Sequence, residues 1–242
     1  MGGIGANRKD PGIFFYENMK MGLTLIHQTV MSGIQAGIVL LGTVCSYPKF
    51  CKTPFVETDL WNGYPEETNA PYGVAKKALM VMLEAYRQQY GLKSVSLIPS
   101  NLYGPGDKND LEKSHVVPAI VKKFMTAKAA GDPYVTLWGT GKATREFLHV
   151  RDAADAIVKA VALGGHPDPI NVGTGLEISV MDLAMMIRSL SGYRGKVIWD
   201  YTMPDGQPRR TLDTYRARNI LGWEAKVPLL EGLKELVSEI GG

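Results

Sequence analysis

Apolar residues recur at helical spacing from Pro11 to Val30 and stop at Gly33, which predicts a long helix closed by a glycine. The period then changes. Ala36-Gly-Ile-Val-Leu-Leu41 is a short continuous apolar run of the kind a parallel sheet buries on both faces, and it empties into a loop holding Thr43 and Cys45. Tyr72 to Tyr90 returns to the helical period and closes at Gly91. Ser94 to Pro99 then reads as a second buried strand, and Asn101-Leu-Tyr-Gly-Pro-Gly106 as a turn-rich loop. From His115 the pattern is looser. It predicts a helix to about residue 130, short strands near Val135 and Glu146, and helices near 151–163, 179–191 and 228–239.

Strand and helix alternating in this way define an α/β fold: an incomplete Rossmann-like, doubly wound parallel sheet. Ligands of such sheets gather at the carboxyl ends of the strands, where Thr43 and Asn101 fall. The domain reading is a partial Rossmann-like domain over residues 1–114 and a smaller α+β substrate-binding lobe over 115–242, some of whose segments return to the first domain. A cleft between the two is the place for a ligand.

The 242 residues, 45% of them hydrophobic, are enough for a real core. A net charge of +3, with basic residues scattered along the chain, argues against a nucleic-acid partner and for a phosphorylated small molecule. Cys45 and Cys51 are too few for a disulfide framework, and no segment reads as a signal peptide or membrane span, so a cytoplasmic location is expected. Met1-Gly-Gly-Ile-Gly-Ala6 is not a myristoylation signal, which wants Ser or Thr at Ala6. Nor is it a dinucleotide loop, since no strand precedes it and Arg8 stands where the third glycine belongs.

The chemistry begins at Tyr72-Gly-Val-Ala-Lys76. A lysine one turn from a tyrosine shares its helix face, and its charge is expected to lower a phenol pKa ordinarily about 10, making Tyr72 an acid usable near neutrality. Such a pair suits hydride chemistry on a nicotinamide cofactor. No Gly-x-Gly-x-x-Gly follows any strand, however.

Three stretches, Gly42-Thr-Val-Cys-Ser-Tyr-Pro48, Pro71-Tyr-Gly-Val-Ala-Lys76 and Pro99-Ser-Asn-Leu-Tyr-Gly-Pro105, together resemble the extended short-chain dehydrogenase/reductases. Five more narrow the resemblance to the GDP-L-fucose synthase family: Ser114-His-Val-Val-Pro118, Leu137-Trp-Gly-Thr-Gly141, Arg145-Glu-Phe-Leu-His-Val150, Asn171-Val-Gly-Thr-Gly175 and Pro204-Asp-Gly-Gln-Pro208. The resemblance spans essentially the whole chain. It implies an NADP(H)-dependent enzyme that epimerises GDP-4-keto-6-deoxy-mannose at two carbons and reduces its 4-keto group. Tyr72 then resembles the proton donor to the ketone oxygen, Lys76 the residue holding the nicotinamide ribose, and Thr43 the hydroxyl that orients the oxygen, a position where serine is usual. Cys45 and His115 match the pair that moves protons on opposite faces of the sugar, which epimerisation next to a carbonyl requires. Leu41, Gly42, Pro99, Ser100, Asn101, Leu102 and His115 match cofactor-lining positions. Asn101, Lys123, Trp138, Arg145, Asp205 and Arg210 match contacts to the GDP-sugar, with Lys123 where arginine is usual. No metal site is implied.

Outside the resemblance each residue also has a plain structural reading. Cys45 would be a small core filler, His115 a helix cap, Trp138 core packing and Arg145 a surface ion pair. In the superfamily the helices matching Pro11 to Val30 and Tyr72 to Tyr90 pair two subunits in a four-helix bundle, which implies a homodimer. The family's opening strand, glycine-rich turn and following units, about two βα units in all, have no counterpart here. Three accounts stay open: a fragment of a longer product, one part of a split enzyme completed by a separately encoded N-terminal fragment, or a free-standing chain without cofactor binding. A different nucleotide-sugar epimerase or dehydratase and a non-catalytic GDP-sugar-binding subunit are the competing functions.

Overall fold

The computed structural model describes residues 9–107 and 115–241. The glycine-rich opening and Ser114 lie outside them. The first long helix, α1 (Pro11–Met31), runs beside α2 (Ala70–Tyr90), which opens with Pro71 in its first turn and closes on Gly91 at φ 68°. That left-handed conformation carries little penalty for glycine, so the helix stops there. Strand β1 (Ile38–Leu41) lies parallel to β2 (Ser94–Pro99). The third strand of this sheet, β6 (Ile170–Val172), comes from the second half of the chain and pairs parallel with the end of β2, Pro99 opposite Val172. The order β1-β2-β6 leaves β1 on the edge.

Side-chain alternation along β2 separates the two faces of this sheet. Leu97 and Val95 turn to helix α4 (Val150–Leu163), whose Ala153, Ala156 and Ala160 allow a close approach. Ile98 packs on the other face with Met80 of α2, Val44, Tyr47 and Phe55, while Ile26 of α1 meets Leu79 and Leu83 of α2. Gly22 of α1 is needed there, because a Cβ would run into the Leu79 side chain.

A further core is a separate cluster of buried residues. Helix α3 (Val116–Ala130) brings Val121 and Phe124 against Leu183 and Ile187 of α5 (Val180–Ser191) and Leu233 and Leu236 of α6 (Leu229–Gly241). One flank of this core carries the parallel pair β4 (Tyr134–Trp138) and β8 (Lys196–Asp200). On the other, β5 (Thr144–His149) pairs with β3 (Asn101–Tyr103) in parallel and with β7 (Glu177–Ser179) in antiparallel. The Ser179 hydroxyl caps α5 by accepting from the Asp182 amide at 3.0 Å.

The predicted helices and buried strands form with ends shifted by one or two residues. The Asn101–Tyr103 stretch departs from its reading as loop, since its backbone continues into a strand beside Phe147–His149. Strands β6, β7 and β8 were not predicted. Among the described residues, no helix is long and apolar enough to cross a membrane.

Phe124 is fully buried at the centre of the second core. Phe124→Ala is expected to lower the unfolding free energy by about 3–5 kcal/mol, read as a fall in the denaturant midpoint with an unchanged slope. A loss within error of zero would show that this core is not the one described.

Candidate functional site

The site is built where β1 runs out. Thr43 is extended and caps a 3₁₀ turn, Val44–Ser46, by accepting from the Cys45 amide at 3.2 Å. The Ser46 hydroxyl then donates to the Gly73 carbonyl at 3.0 Å, tying the turn to the start of α2. Gly73 has no alternative side chain available, because a Cβ would strike the Cys45 carbonyl. Backbone therefore meets backbone. The contact brings Tyr72, one residue earlier, into hydrogen-bond contact with Thr43 and into electrostatic range of Cys45.

Lys76 follows one turn later, its Nζ 5.9 Å from the centre of the Tyr72 ring. The expected lowering of the Tyr72 pKa by Lys76 is not what the structure shows. Burial raises the phenol above its ordinary range, negative charge at Cys45 adds to this, and only the hydrogen bond with Thr43 works against it. Burial likewise depresses the Lys76 ammonium. Desolvation is the largest cause for both groups.

Two buried arginines stand on the other side of Cys45. Arg210 Nη1 donates to Cys45 Sγ at 3.4 Å, and its Nε donates to Gln207 Oε1 at 3.2 Å. Arg145 donates to the carbonyls of Thr144 at 2.7 Å and Asp205 at 3.0 Å. Burial first, and the nearby Arg210 charge second, bring Arg145 down to about 10. Neither guanidinium makes an ion pair with a carboxylate among the described residues, so Arg145 is not the surface ion pair of the plain reading. Two desolvated cations side by side are costly alone and favour an anion between or beside them.

The Asp205 carboxylate is engaged with the 139–141 loop, accepting from the Thr140 amide at 2.7 Å and the Thr140 hydroxyl at 2.6 Å. At the end of β4, Trp138 is 54% exposed, which rules out core packing, and Lys123 Nζ lies 5.8 Å from its ring centre. His115 is exposed at the N-terminus of α3, and its side chain does not cap the helix. Asn101 donates to the Glu146 carbonyl at 2.8 Å. Leu41, Pro99 and Leu102 line an apolar cavity of about 190 Å³ between the sheet and α4. Gly42 is buried against Met80 and the Leu97 carbonyl. Ser100 is buried, with its hydroxyl oxygen lacking a hydrogen-bond partner.

The structure thus joins Thr43, Cys45, Tyr72, Lys76, Arg145 and Arg210, and pairs Trp138 with Lys123. The placement of Arg210 on Cys45 and the support from Gln207 were not foreseen. They join residues 165 positions apart in the chain, and no local spacing signals them.

Residues 1–173 match the NAD dependent epimerase/dehydratase family. The chain is 40% identical to the probable GDP-L-fucose synthase 1 of Oryza sativa subsp. japonica over 97% of its own length and 71% of that protein. It is also 40% identical to the GDP-L-fucose synthase of Escherichia coli strain K12, over 96% and 75%. In three dimensions it superposes on the GDP-mannoheptose C4 reductase MlghC of Campylobacter jejuni, solved with NADP bound, with a TM-score of 0.81 at 29% identity, over 97% of this chain and 77% of that one. The chain is a member of the NAD dependent epimerase/dehydratase family. Within it, the chain belongs to the GDP-L-fucose synthase family.

One carboxylate holds the arginine segment against β5 and β7. Glu177 pairs with Arg209 and accepts from the hydroxyls of Thr144 at 2.6 Å and Thr211 at 2.9 Å, which together lower its pKa to about 2. A folded-state pKa below the unfolded one stabilises above the ordinary carboxylate range and is lost as pH falls through the folded value. Glu177→Gln should therefore lower Tm at neutral pH, and the gap to the parent should close between about pH 4.5 and 2. A pH-independent gap would show that the charge of Glu177 contributes nothing.

Proposed function

We infer that the chain carries the 3,5-epimerase and 4-reductase chemistry of GDP-4-keto-6-deoxy-mannose, with NADPH as hydride source. The observation that carries this reading is the meeting of Thr43, Cys45 and Tyr72 at one strand end, with the Arg145 and Arg210 guanidiniums beside them.

The residues fit the cofactor on two counts. Lys76 is a desolvated ammonium without an ion-pair partner among the described residues, matched to hydroxyl acceptors such as those of a ribose. The orphaned Ser100 hydroxyl at the end of β2 offers a further polar contact. Leu41, Gly42 and the 99–102 backbone would border the nicotinamide, which when bound supplies hydride to the keto carbon.

Tyr72, kept protonated by burial, gives its proton to the ketone oxygen as the carbonyl is reduced, and Thr43 orients both oxygens by hydrogen bonding. For epimerisation, Cys45 and His115 act on opposite faces of the sugar, one removing the proton next to the ketone and the other returning a proton to the enolate. Asn101 contacts the sugar. The diphosphate pairs with cations of the Arg145 region, while Trp138, Lys123 and Asp205 serve the guanosine end, where an exposed indole offers a stacking face.

Exposed apolar side chains on α1, including Tyr16, Met21 and Leu25, and Val81 on α2 support pairing of these helices across a homodimer. The open edge of β1 suits a further parallel βα segment bearing the pyrophosphate turn, in the same polypeptide or a separate one. Both cysteines are free, in keeping with a reducing cytoplasm.

Tyr72→Phe is expected to slow ketone reduction by about 10²–10⁴-fold while GDP-sugar affinity measured by calorimetry stays within roughly threefold. Cys45→Ala should abolish exchange of sugar-carbon hydrogens with deuterated solvent. Reduction at the parental rate in the tyrosine variant would sink the assignment. For the assembly, sedimentation equilibrium should return twice the 26.5 kDa of one chain, and a monomer mass would contradict the helix pairing.

A further inference from the structure

Arg210 stands out among the described cations. It is 7% exposed, makes no ion pair with a carboxylate among the described residues, and directs Nη1 at the Cys45 sulfur rather than at an oxygen. Its orientation is held from behind. Gln207, also 7% exposed, accepts from Arg210 Nε and donates its own amide to the Lys49 carbonyl at 2.9 Å, four residues beyond Cys45. Gln207 therefore spans the arginine and the segment leaving the Cys45 turn. The Glu177 hydrogen bonds to Arg209 and Thr211 brace the arginine from both neighbouring positions.

A thiol gains little from a nearby guanidinium, but a thiolate gains a charge-assisted hydrogen bond in a desolvated setting. The groups facing Cys45 are Arg210, the more distant Arg145, and the neutral hydroxyls of Thr43 and Tyr72. Arg210 is the charged group in hydrogen-bond contact with the sulfur among the described residues, while the carboxylates of Asp205 and Glu66 act on Arg145.

We propose that Arg210, held by Gln207, is a positioning residue that stabilises negative charge on Cys45 Sγ and so makes Cys45 the proton-abstracting partner of the epimerising pair. This rests on the proposed epimerase reading for its chemical purpose. In the step, the sulfur lone pair takes the proton from the carbon next to the ketone, an S–H bond forms as the C–H bond breaks, and the C–H electron pair passes into the enolate. No oxidant or reductant takes part. Arg210 thereby serves the thiol first, and any contact it makes with the nucleotide is secondary.

The test uses iodoacetamide on the full chain carrying Cys51→Ser, so that only Cys45 is modified, with mass spectrometry as readout at pH 7. Alkylation requires thiolate. Arg210→Gln should slow alkylation of Cys45 by at least about tenfold, and Arg210→Lys, which keeps the charge without the fork, should recover most of the rate. Gln207→Met leaves the guanidinium but unties it, and should slow the reaction severalfold. Far-UV circular dichroism confines the comparison to folded variants, and the lysine and methionine variants keep the test alive if the glutamine variant does not fold.

The direction of change separates charge from packing. A structural role would loosen the turn and speed alkylation on loss of Arg210. Unchanged or faster alkylation, or equal slowing in the glutamine and lysine variants, overturns the proposal. The alkylation rate reads the guanidinium–sulfur contact whether or not the chain epimerises a sugar. Slowed alkylation without Cys45-dependent hydrogen exchange would sink the epimerase reading alone, and exchange with unaltered alkylation would sink this inference alone.

Discussion

The close approach of two backbones at Gly73 is the constraint on which the site depends. The Cys45 carbonyl lies where a side chain at position 73 would have to go, and the Ser46 hydroxyl fastens to the Gly73 carbonyl from the same turn. A parallel strand therefore ends within reach of the first turn of a helix that begins 29 residues after the strand closes. Thr43 and Cys45 ride on the strand end, and Tyr72 and Lys76 on the helix. Their mutual geometry is set by main chain on both sides, the least deformable part of the molecule. Side-chain packing alone would leave more freedom than proton transfer tolerates.

A second constraint is electrostatic. Arg145 and Arg210 are desolvated beside each other, an arrangement the fold sustains by anchoring both to neutral acceptors: carbonyls for Arg145, and the Gln207 amide oxygen for Arg210. Had carboxylates been placed there, the cations would be satisfied internally. Amide and carbonyl oxygens orient the guanidiniums without neutralising them, so their charge remains for a thiolate at Cys45 and for an anionic ligand. Glu177 supplies the missing stability at one remove, pairing with Arg209 instead of Arg210.

Part of this fold was legible because its central parallel strand is buried on both faces. Ser94–Pro99 is a run of nearly full burial, and its boundaries follow directly from composition. Helix ends were equally plain, since Gly91, Gly131, Gly164 and Gly192 each adopt the left-handed conformation that stops a helix. Ile170–Val172 and Glu177–Ser179 were hidden by length, three residues being too few to display a period. Asn101–Tyr103 was hidden by its neighbours Gly104, Pro105 and Gly106, which signal turns, while the pairing that makes it a strand comes from β5, over forty positions away. The Tyr72–Lys76 pair was visible for a related reason: the two residues share one helical turn. Arg210 and Cys45 meet only through the fold, and a single sequence carries no trace of such a contact.

The failed expectation for Tyr72 is instructive about the chemistry. Lys76 does sit one turn beyond Tyr72, yet burial pushes the phenol up and depresses the lysine itself. A raised phenol suits a donor in one respect: Tyr72 is fully protonated at neutral pH, so every molecule has a proton to give. It is unfavourable in another, because a very weak acid parts with its proton only to a strongly basic oxygen. In the proposed reduction, the ketone oxygen becomes such a base as hydride arrives, when it takes on alkoxide character. The acidity of Tyr72 thus needs to match the developing alkoxide rather than the resting ketone, and burial moves it in that direction. The Thr43 hydrogen bond then limits the rise without abolishing it. Placing tyrosine, threonine and lysine on a desolvated strand end therefore favours proton donation coupled to charge development over donation in advance of it.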